Sequence, residues 1–288
     1  TPAELIHALL KAPVDLLWNG GIGTYVKSSG ESHAEVGDKA NDAVRVNGAD
    51  LRAKVVGEGG NLGMTQLGRV EYALHGGSSN TDFIDNAGGV DCSDHEVNIK
   101  ILLNEVVSAG DMTAKQRNQL LFDMTDAVAD LVLQNNYKQT QALSQAQHRS
   151  RERASEYVRL INALEASGQL DRALEFLPSD EALAERANIG KGLTRPELSV
   201  LISYSKIELK KALLDSRVPD DDYLAREMET AFPQQLVERF RGAMLQHRLK
   251  REIVSTQIAN DLVNNMGITF VQRLHEATGM SAANVAGA

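Results

Sequence analysis

Apolar positions follow two different rhythms along this chain. Before Ser93 they gather into short runs, Val14–Trp18, Lys54–Gly57 and Thr81–Asp85. Each run ends in a turn rich in Gly and Asn that leads into a helical pattern. Near-continuous apolar runs are what strands buried on both faces look like, so the spacing predicts three parallel strands. Strand, glycine turn and helix in succession is the grammar of an open α/β sheet. The intervening helices are expected over residues 1–11, over Glu31–Asn47 and from about Thr65 to Leu74, the last closed by Gly76-Gly77.

From Ser93 onward the strand pattern disappears. Asp94–Ser108 is apolar nearly all round, which predicts a buried helix ended by Gly110. Helices follow over Lys115–Asn135, Gln139–Ser167 and Glu181–Ala187. Thr194-Arg195-Pro196-Glu197 opens another with a capping pattern, and Leu198, Ile202, Leu209, Leu213 and Leu214 supply its core face. Pro219 and Asp220–Asp222 make a turn feeding an acid-rich helix start. Gln234–His247, Arg251–Asn265 and Ile268–Thr278 complete the helical pattern. The expected architecture is an α/β part over residues 1–110, followed by an all-helical part over 111–288.

Composition narrows the class without naming it. At 288 residues, with 42% hydrophobic and 24% charged positions, the chain can bury a full core. No apolar stretch approaches the roughly 18 residues of a membrane span, and no signal peptide is evident. A net charge of −9 argues against a nucleic-acid surface. The single cysteine, Cys92, fits a reducing compartment, so a cytoplasmic setting is expected. The chain opens on a helix capped by Thr1, Pro2 and Glu4, with no initiator Met and no entry strand before it. It closes on a helix start at Ser281 that soon runs out. It reads as an interior segment of a longer polypeptide.

In open α/β sheets ligands sit beyond the carboxyl ends of the strands, so Glu58–Asn61 and Asn86–Ser93 should face one crevice. Gly57-Glu58-Gly59-Gly60-Asn61-Leu62-Gly63 lets a ligand approach the backbone closely. It is not the dinucleotide fingerprint, because its sixth position is Leu62; Gly20-Gly21-Ile22-Gly23 fails too. Asn86 can offer a donor and an acceptor to a planar amide. Ser93 and Glu96 have capping-box spacing, so Ser93 most simply caps the helix that follows. A hydroxyl at a helix N-terminus can also face an anion. Asp94, His95 and Glu96 are consecutive on a helix and point in different directions, so no metal site is expected. Cys92 reads as a small buried hydrophobe, and the seven histidines as surface or satisfied core.

The same turns carry a family resemblance. Glu58-Gly59-Gly60-Asn61 resembles the Glu-Gly-Ala-Asn segment of glutamate dehydrogenases. Asn86-Ala87-Gly88-Gly89-Val90, with Ser93 and Glu96 at matching offsets, resembles their Asn-Ala-Gly-Gly-Val segment. The fuller wording, with DLLWNGGIGTYVK ahead of it, is similar to the large bacterial NAD-specific members, continuously from about residue 1 to 105. The resemblance implies a partial Rossmann-like parallel sheet followed by a helical region. It implies oxidative deamination of L-glutamate to 2-oxoglutarate and ammonia, with NAD as cofactor. Gly20, Gly21, Glu58, Gly59, Asn61 and Asn86 would meet the cofactor, Asn61 and Asn86 on its nicotinamide and ribose side. Ser93 would bond the side-chain carboxylate of the substrate. The family's Ala-Ala turn is Gly20-Gly21 here, and its Glu-Asn is Gly23-Thr24, so contacts in that turn would be through the backbone. Its phosphate-gripping glycine loop, catalytic lysine and catalytic aspartate would lie upstream of Thr1. The partners implied are the rest of the polypeptide and further copies of it. A second reading makes residues 111–288 a non-catalytic assembly or regulatory module of a larger enzyme.

Overall fold

The computed structural model describes residues 1–288. In chain order the first elements are α1 (Pro2–Leu10), β1 (Leu16–Asn19), β2 (Val26–Lys27), α2 (His33–Val36), β3 (Val46–Asn47), β4 (Val55–Glu58), α3 (Gln66–Leu74), β5 (Ser78–Ser79) and α4 (Asp82–Asp85). Helices make up the remainder: α5 (Ala87–Ser108), α6 (Ala114–Asp123), α7 (Thr125–Arg149), α8 (Ala154–Ala166), α9 (Asp180–Asn188) and α10 (Arg195–Leu214). After two 3-10 stretches come α11 (Gln234–Met244), α12 (Lys250–Met266), α13 (Phe270–Thr278) and α14 (Ala282–Gly287). A small parallel α/β sheet followed by a helical region is the expected class.

The chain forms two compact units. One comprises residues 1–87 with 143–203. Its sheet has the order β1-β4-β5, all parallel, with Leu16 opposite Val55, Asn19 opposite Glu58 and Val56 opposite Ser79. β1 is an edge strand, and its Leu16 and Trp18 are exposed. A separate parallel pair joins β2 to β3. Val26, Val46, Leu51, Ala53, Val56, Met64 and Tyr72 form the core between the two sheets and α3. Thr1 and Glu4 cap α1 reciprocally, and Thr65 caps α3 through the Gly68 amide at 2.9 Å, as the sequence signals required. Thr194 and Glu197 close the capping pattern of α10, with both the amide and hydroxyl of Thr194 donating to Glu197 Oε2 at 2.7 Å.

Two expectations fail in this unit. Glu31–Asn47 is not one helix: α2 is a single turn ended by Gly37 at φ 77°, and the segment finishes as β3. The helical spacing is outbid by a polar network. Asp38 accepts from the Thr24 amide at 2.8 Å, and the fully buried Arg45 side chain donates to Thr24 O at 2.8 Å and Asp42 at 2.6 Å. Thr81–Asp85 is not a strand either. The third strand is Ser78–Ser79, and Thr81 turns the chain into α4. Helix places Asp82 and Asp85 one turn apart, where both carboxylates accept main-chain amides of the β4 turn.

The other unit comprises residues 88–142 with 204–288 and is helical throughout. α5 buries His95, Ile99, Leu102, Leu103 and Val106, a single stripe at helical spacing, while Val97 is exposed. It is therefore amphipathic and not apolar all round. α12 buries Ile253, Val254, Ile258, Ala259 and Val263 against the 3-10 stretch Leu224–Ala231. His247 is buried with both ring nitrogens engaged: Nδ1 accepts from the Leu249 amide at 3.0 Å and Nε2 donates to Asn98 O at 3.1 Å. Across the chain the helices expected over Lys115–Asn135 and Gln139–Ser167 are redistributed as α6, α7 and α8, with breaks at Met124 and after Arg149. No helix is long and apolar enough to cross a membrane.

Candidate functional site

The first two glycine turns meet at the carboxyl ends of β1 and β4. Parallel register sets Asn19 beside Glu58, and Asn19 O then accepts from the amides of Gly59 at 2.8 Å and Gly60 at 3.1 Å. The glycines follow from this proximity. A Cβ on Gly59 would stand 2.5 Å from the Trp18 ring, and one on Gly60 would stand 2.4 Å from Gly21 O. Gly20 and Gly21, with Leu17, Trp18, Tyr25 and Met64, line a cavity of about 260 Å³ beside the strand. Because Gly60 faces main chain, which cannot rotate away, Gly60→Ala should cost about 1–3 kcal/mol of folding free energy. Thermal unfolding measures this, and an unchanged melt would mean that the two turns are not in contact.

The third turn joins them. Asn86 ends α4, and its Nδ2 donates to Gly60 O at 3.0 Å and to Asn61 Oδ1. Asn61 is exposed and Asn86 half-buried. The pair leaves Asn61 Nδ2 and Asn86 Oδ1, one donor and one acceptor, for a complementary planar amide. Gly20, Gly21, Gly59, Asn61 and Asn86 are thus assembled at the carboxyl ends of β1 and β4, with Gly60 packed between them.

Glu58 behaves differently. Its side chain is wholly buried and binds Arg69 through two bonds, Nε to Oε2 at 2.7 Å and Nη2 to Oε1 at 2.9 Å. Oε1 also accepts from the Met64 amide at 3.0 Å. Burial pushes the Glu58 carboxyl above its ordinary range, with Arg69 opposing the shift. The carboxylate is committed to the fold, and so is the amide, which Asp85 holds; neither is left for a ligand.

Ser93 lies in the helical unit, and it is not a helix cap. α5 already begins at Ala87, so Ser93 sits within the helix and its hydroxyl donates to Gly89 O at 3.2 Å. The capping expectation fails because Gly88 and Gly89 accept helical geometry, at about 1 kcal/mol each relative to alanine. Gly88 lies against Val132 and Asn136. Glu96 pairs instead with Lys100 on the next turn. Cys92 is exposed and not a buried hydrophobe; it lines a cavity of about 450 Å³ with Ile99, Met124 and Val128. Of the consecutive Asp94, His95 and Glu96, only His95 is buried, so the three do face different ways.

Two carboxylates, neither of them expected from the sequence pattern, support the turn. Asp85 Oδ2 accepts from the Glu58 amide at 2.9 Å, and Asp82 Oδ2 accepts from the Leu62 amide at 2.8 Å. Arg69 Nη2 stands 3.3 Å from Asp82, and Asn80 donates to Asp85 at 2.6 Å. The Asp-x-x-Asp spacing was the available signal, since it puts two carboxylates on one face of a helical turn.

An open parallel sheet with glycine turns gathered at the carboxyl ends of its strands, followed by helices, defines the α/β class of this chain. Residues 1–146 match the model of the bacterial NAD-glutamate dehydrogenase catalytic domain, and residues 190–288 match that of the glutamate dehydrogenase C-terminal region. The chain belongs to the bacterial NAD-glutamate dehydrogenase family. It is 80% identical over 287 residues to the NAD-specific glutamate dehydrogenase of Pseudomonas aeruginosa and 63% identical over 286 residues to that of Halomonas elongata. The Mycobacterium tuberculosis protein of the same name is 50% identical over 280 residues. These matches cover 100%, 99% and 97% of this chain, but only 18%, 18% and 17% of the relatives.

Proposed function

We propose that this chain is part of an NAD-dependent glutamate dehydrogenase, which converts L-glutamate to 2-oxoglutarate and ammonia. The observation that carries the reading is the Asn61–Asn86 pair beside Gly60 and Gly21, where a donor and an acceptor project at the carboxyl ends of β1 and β4. NAD, when bound, takes up the hydride released from the substrate. The residues present suit its nicotinamide end: Asn61 and Asn86 orient a carboxamide or ribose, and Gly20, Gly21, Glu58 and Gly59 contribute main-chain carbonyls, the amides of Gly21, Glu58 and Gly59 being bonded within the protein. Ser93 turns its one O–H from Gly89 O to donate to the side-chain carboxylate of glutamate. In the complete enzyme Asn86→Ala should raise KM for NAD by about tenfold, the scale of one lost hydrogen bond in a polar site. Steady-state kinetics reads this directly, and an unaltered KM for NAD would remove the assignment.

The phosphate-binding loop, the catalytic lysine and the catalytic aspartate belong, in this reading, to other parts of the polypeptide. The 288-residue chain alone should therefore produce no NADH from glutamate and NAD; measurable absorbance growth at the NADH band would refute that. The exposed edge of β1, with Leu16 and Trp18, supports continuation of the sheet by the rest of the enzyme. Residues 1–110 would then be the C-terminal half of a Rossmann-like domain and 111–288 a helical C-terminal domain. That division is one of function and not of packing. A cytoplasmic homo-oligomer completes the proposal.

A further inference from the structure

The residues that hold the Glu58–Leu62 turn from beneath do not all come from the α/β part of the sequence. Arg195, in the first turn of α10, donates through Nε to Asn80 Oδ1 and through Nη1 to Ser144 Oγ at 2.9 Å. Asn80 passes the contact on, its Nδ2 donating to Asp85 Oδ1 at 2.6 Å. The other oxygen of Asp85 accepts from the Glu58 amide at 2.9 Å. Three successive hydrogen bonds therefore run from a helix of the C-terminal region to the first residue of the turn that carries Asn61. The next residue after Asp85 is Asn86 itself, so a displacement of Asp85 moves both members of the Asn61–Asn86 pair.

Neighbouring contacts fix α10 in place for this role. Gln66 of α3 donates to Pro196 O at 3.3 Å, and Lys191 Nζ donates to Leu74 O at 2.6 Å. At the far end of the turn, Arg69 supports Asp82, which accepts the Leu62 amide. Each end of the turn is thus held by a carboxylate with an arginine behind it. Arg69 lies within the turn's own neighbourhood in sequence, whereas Arg195 is 115 residues from Asn80. The local charges agree: burial pushes the Asp85 carboxyl up, while Asn80, the Glu58 amide and Arg195 oppose that shift.

We infer that Arg195 is a positioning residue for the cofactor turn, acting through Asn80 and Asp85 to set the geometry of Asn61 and Asn86. This rests on the proposed nicotinamide role of those two asparagines. It gives the first helix of the C-terminal family region a part in cofactor affinity, in addition to its packing.

The test uses the complete enzyme and KM values for NAD and glutamate measured separately. Arg195→Ala should raise KM for NAD by about tenfold to a hundredfold, the scale of a displaced site group, with KM for glutamate unchanged. Arg195→Lys, which keeps the charge but not the two-armed geometry, should recover part of the loss. Asn80→Ala should reproduce the effect, and the Asn80→Ala/Arg195→Ala double variant should be no worse than the more affected single one. The lysine variant and Asn80→Ala carry the test if Arg195→Ala does not fold. Lower thermal stability with an unchanged KM for NAD would overturn the inference and make Arg195 a packing residue. Asn86→Ala measured alongside separates the two levels. A raised KM there with none in the Arg195 and Asn80 variants defeats the relay alone. An unchanged KM there defeats the cofactor reading and the relay with it.

Discussion

Arg69→Met is expected to lower folding free energy by about 3–5 kcal/mol at neutral pH, because it strands a buried carboxylate. Glu58 is wholly enclosed, and two of its three polar contacts come from the Arg69 guanidinium. The same guanidinium lies 3.3 Å from Asp82, so one substitution leaves two acids short of a partner. A surface ion pair would contribute far less, since water screens it and competes for both ends.

The pH dependence has a definite sign. Burial already holds the Glu58 carboxyl above its ordinary range, and losing Arg69 moves it higher still. A carboxyl raised in the folded state binds its proton more tightly there than in the unfolded chain. Its stabilising contribution is present in acid and is lost as pH rises through the folded value. The deficit of Arg69→Met should therefore be greatest at alkaline pH and shrink on acidification toward the ordinary glutamate range. Glu58→Gln added to Arg69→Met removes the buried charge and should recover part of the loss. Denaturant titrations across pH measure both effects. A deficit independent of pH would mean that Glu58 is not ionised at that site.

The second large effect is kinetic. In the complete enzyme, Ser93→Ala should raise KM for glutamate by about tenfold to a hundredfold, the scale of a hydrogen bond to a charged group. KM for NAD should change less. Ser93 is an unusually clean position for this test because it does not cap α5. Its hydroxyl makes one bond, to Gly89 O a turn earlier, so stability should move by no more than about 0.5 kcal/mol. Unchanged glutamate kinetics with unchanged melting would leave the hydroxyl without a role in substrate binding.

How far the chain could be read in advance depends on the range of each interaction. β1 and β4 were legible because each is an apolar run followed by glycines, and after β4 Gly59 and Gly60 are demanded by what lies beside them. β5 was not, since Ser78 and Ser79 carry no apolar signal. The run that does, Thr81–Asp85, is too short for its period to separate strand from helical turn. Ser93 and Glu96 show the same ambiguity from the other side. Their spacing matches a capping box, but a helix starting at Ala87 satisfies the same residues internally. The Glu31–Asn47 segment lost its helix to Arg45 and Asp38, whose partners lie in the preceding loop. At the site, Asn61 and Asn86 are expected together at the ends of two strands; they do meet, but Asn86 is delivered by α4 and not by a strand over Thr81–Asp85. Asp82 and Asp85 required knowing that α4 is helical, and Arg195 required a contact no local pattern encodes.

The central claim is that the Asn61–Asn86 pair faces the nicotinamide end of the cofactor. An experimental structure of the complete enzyme with NADH bound tests it most directly. The nicotinamide carboxamide or its ribose should lie about 3 Å from the amide of Asn61 or Asn86, at hydrogen-bonding distance. A nicotinamide ring lying away from the carboxyl ends of β1 and β4, touching neither asparagine, would contradict it.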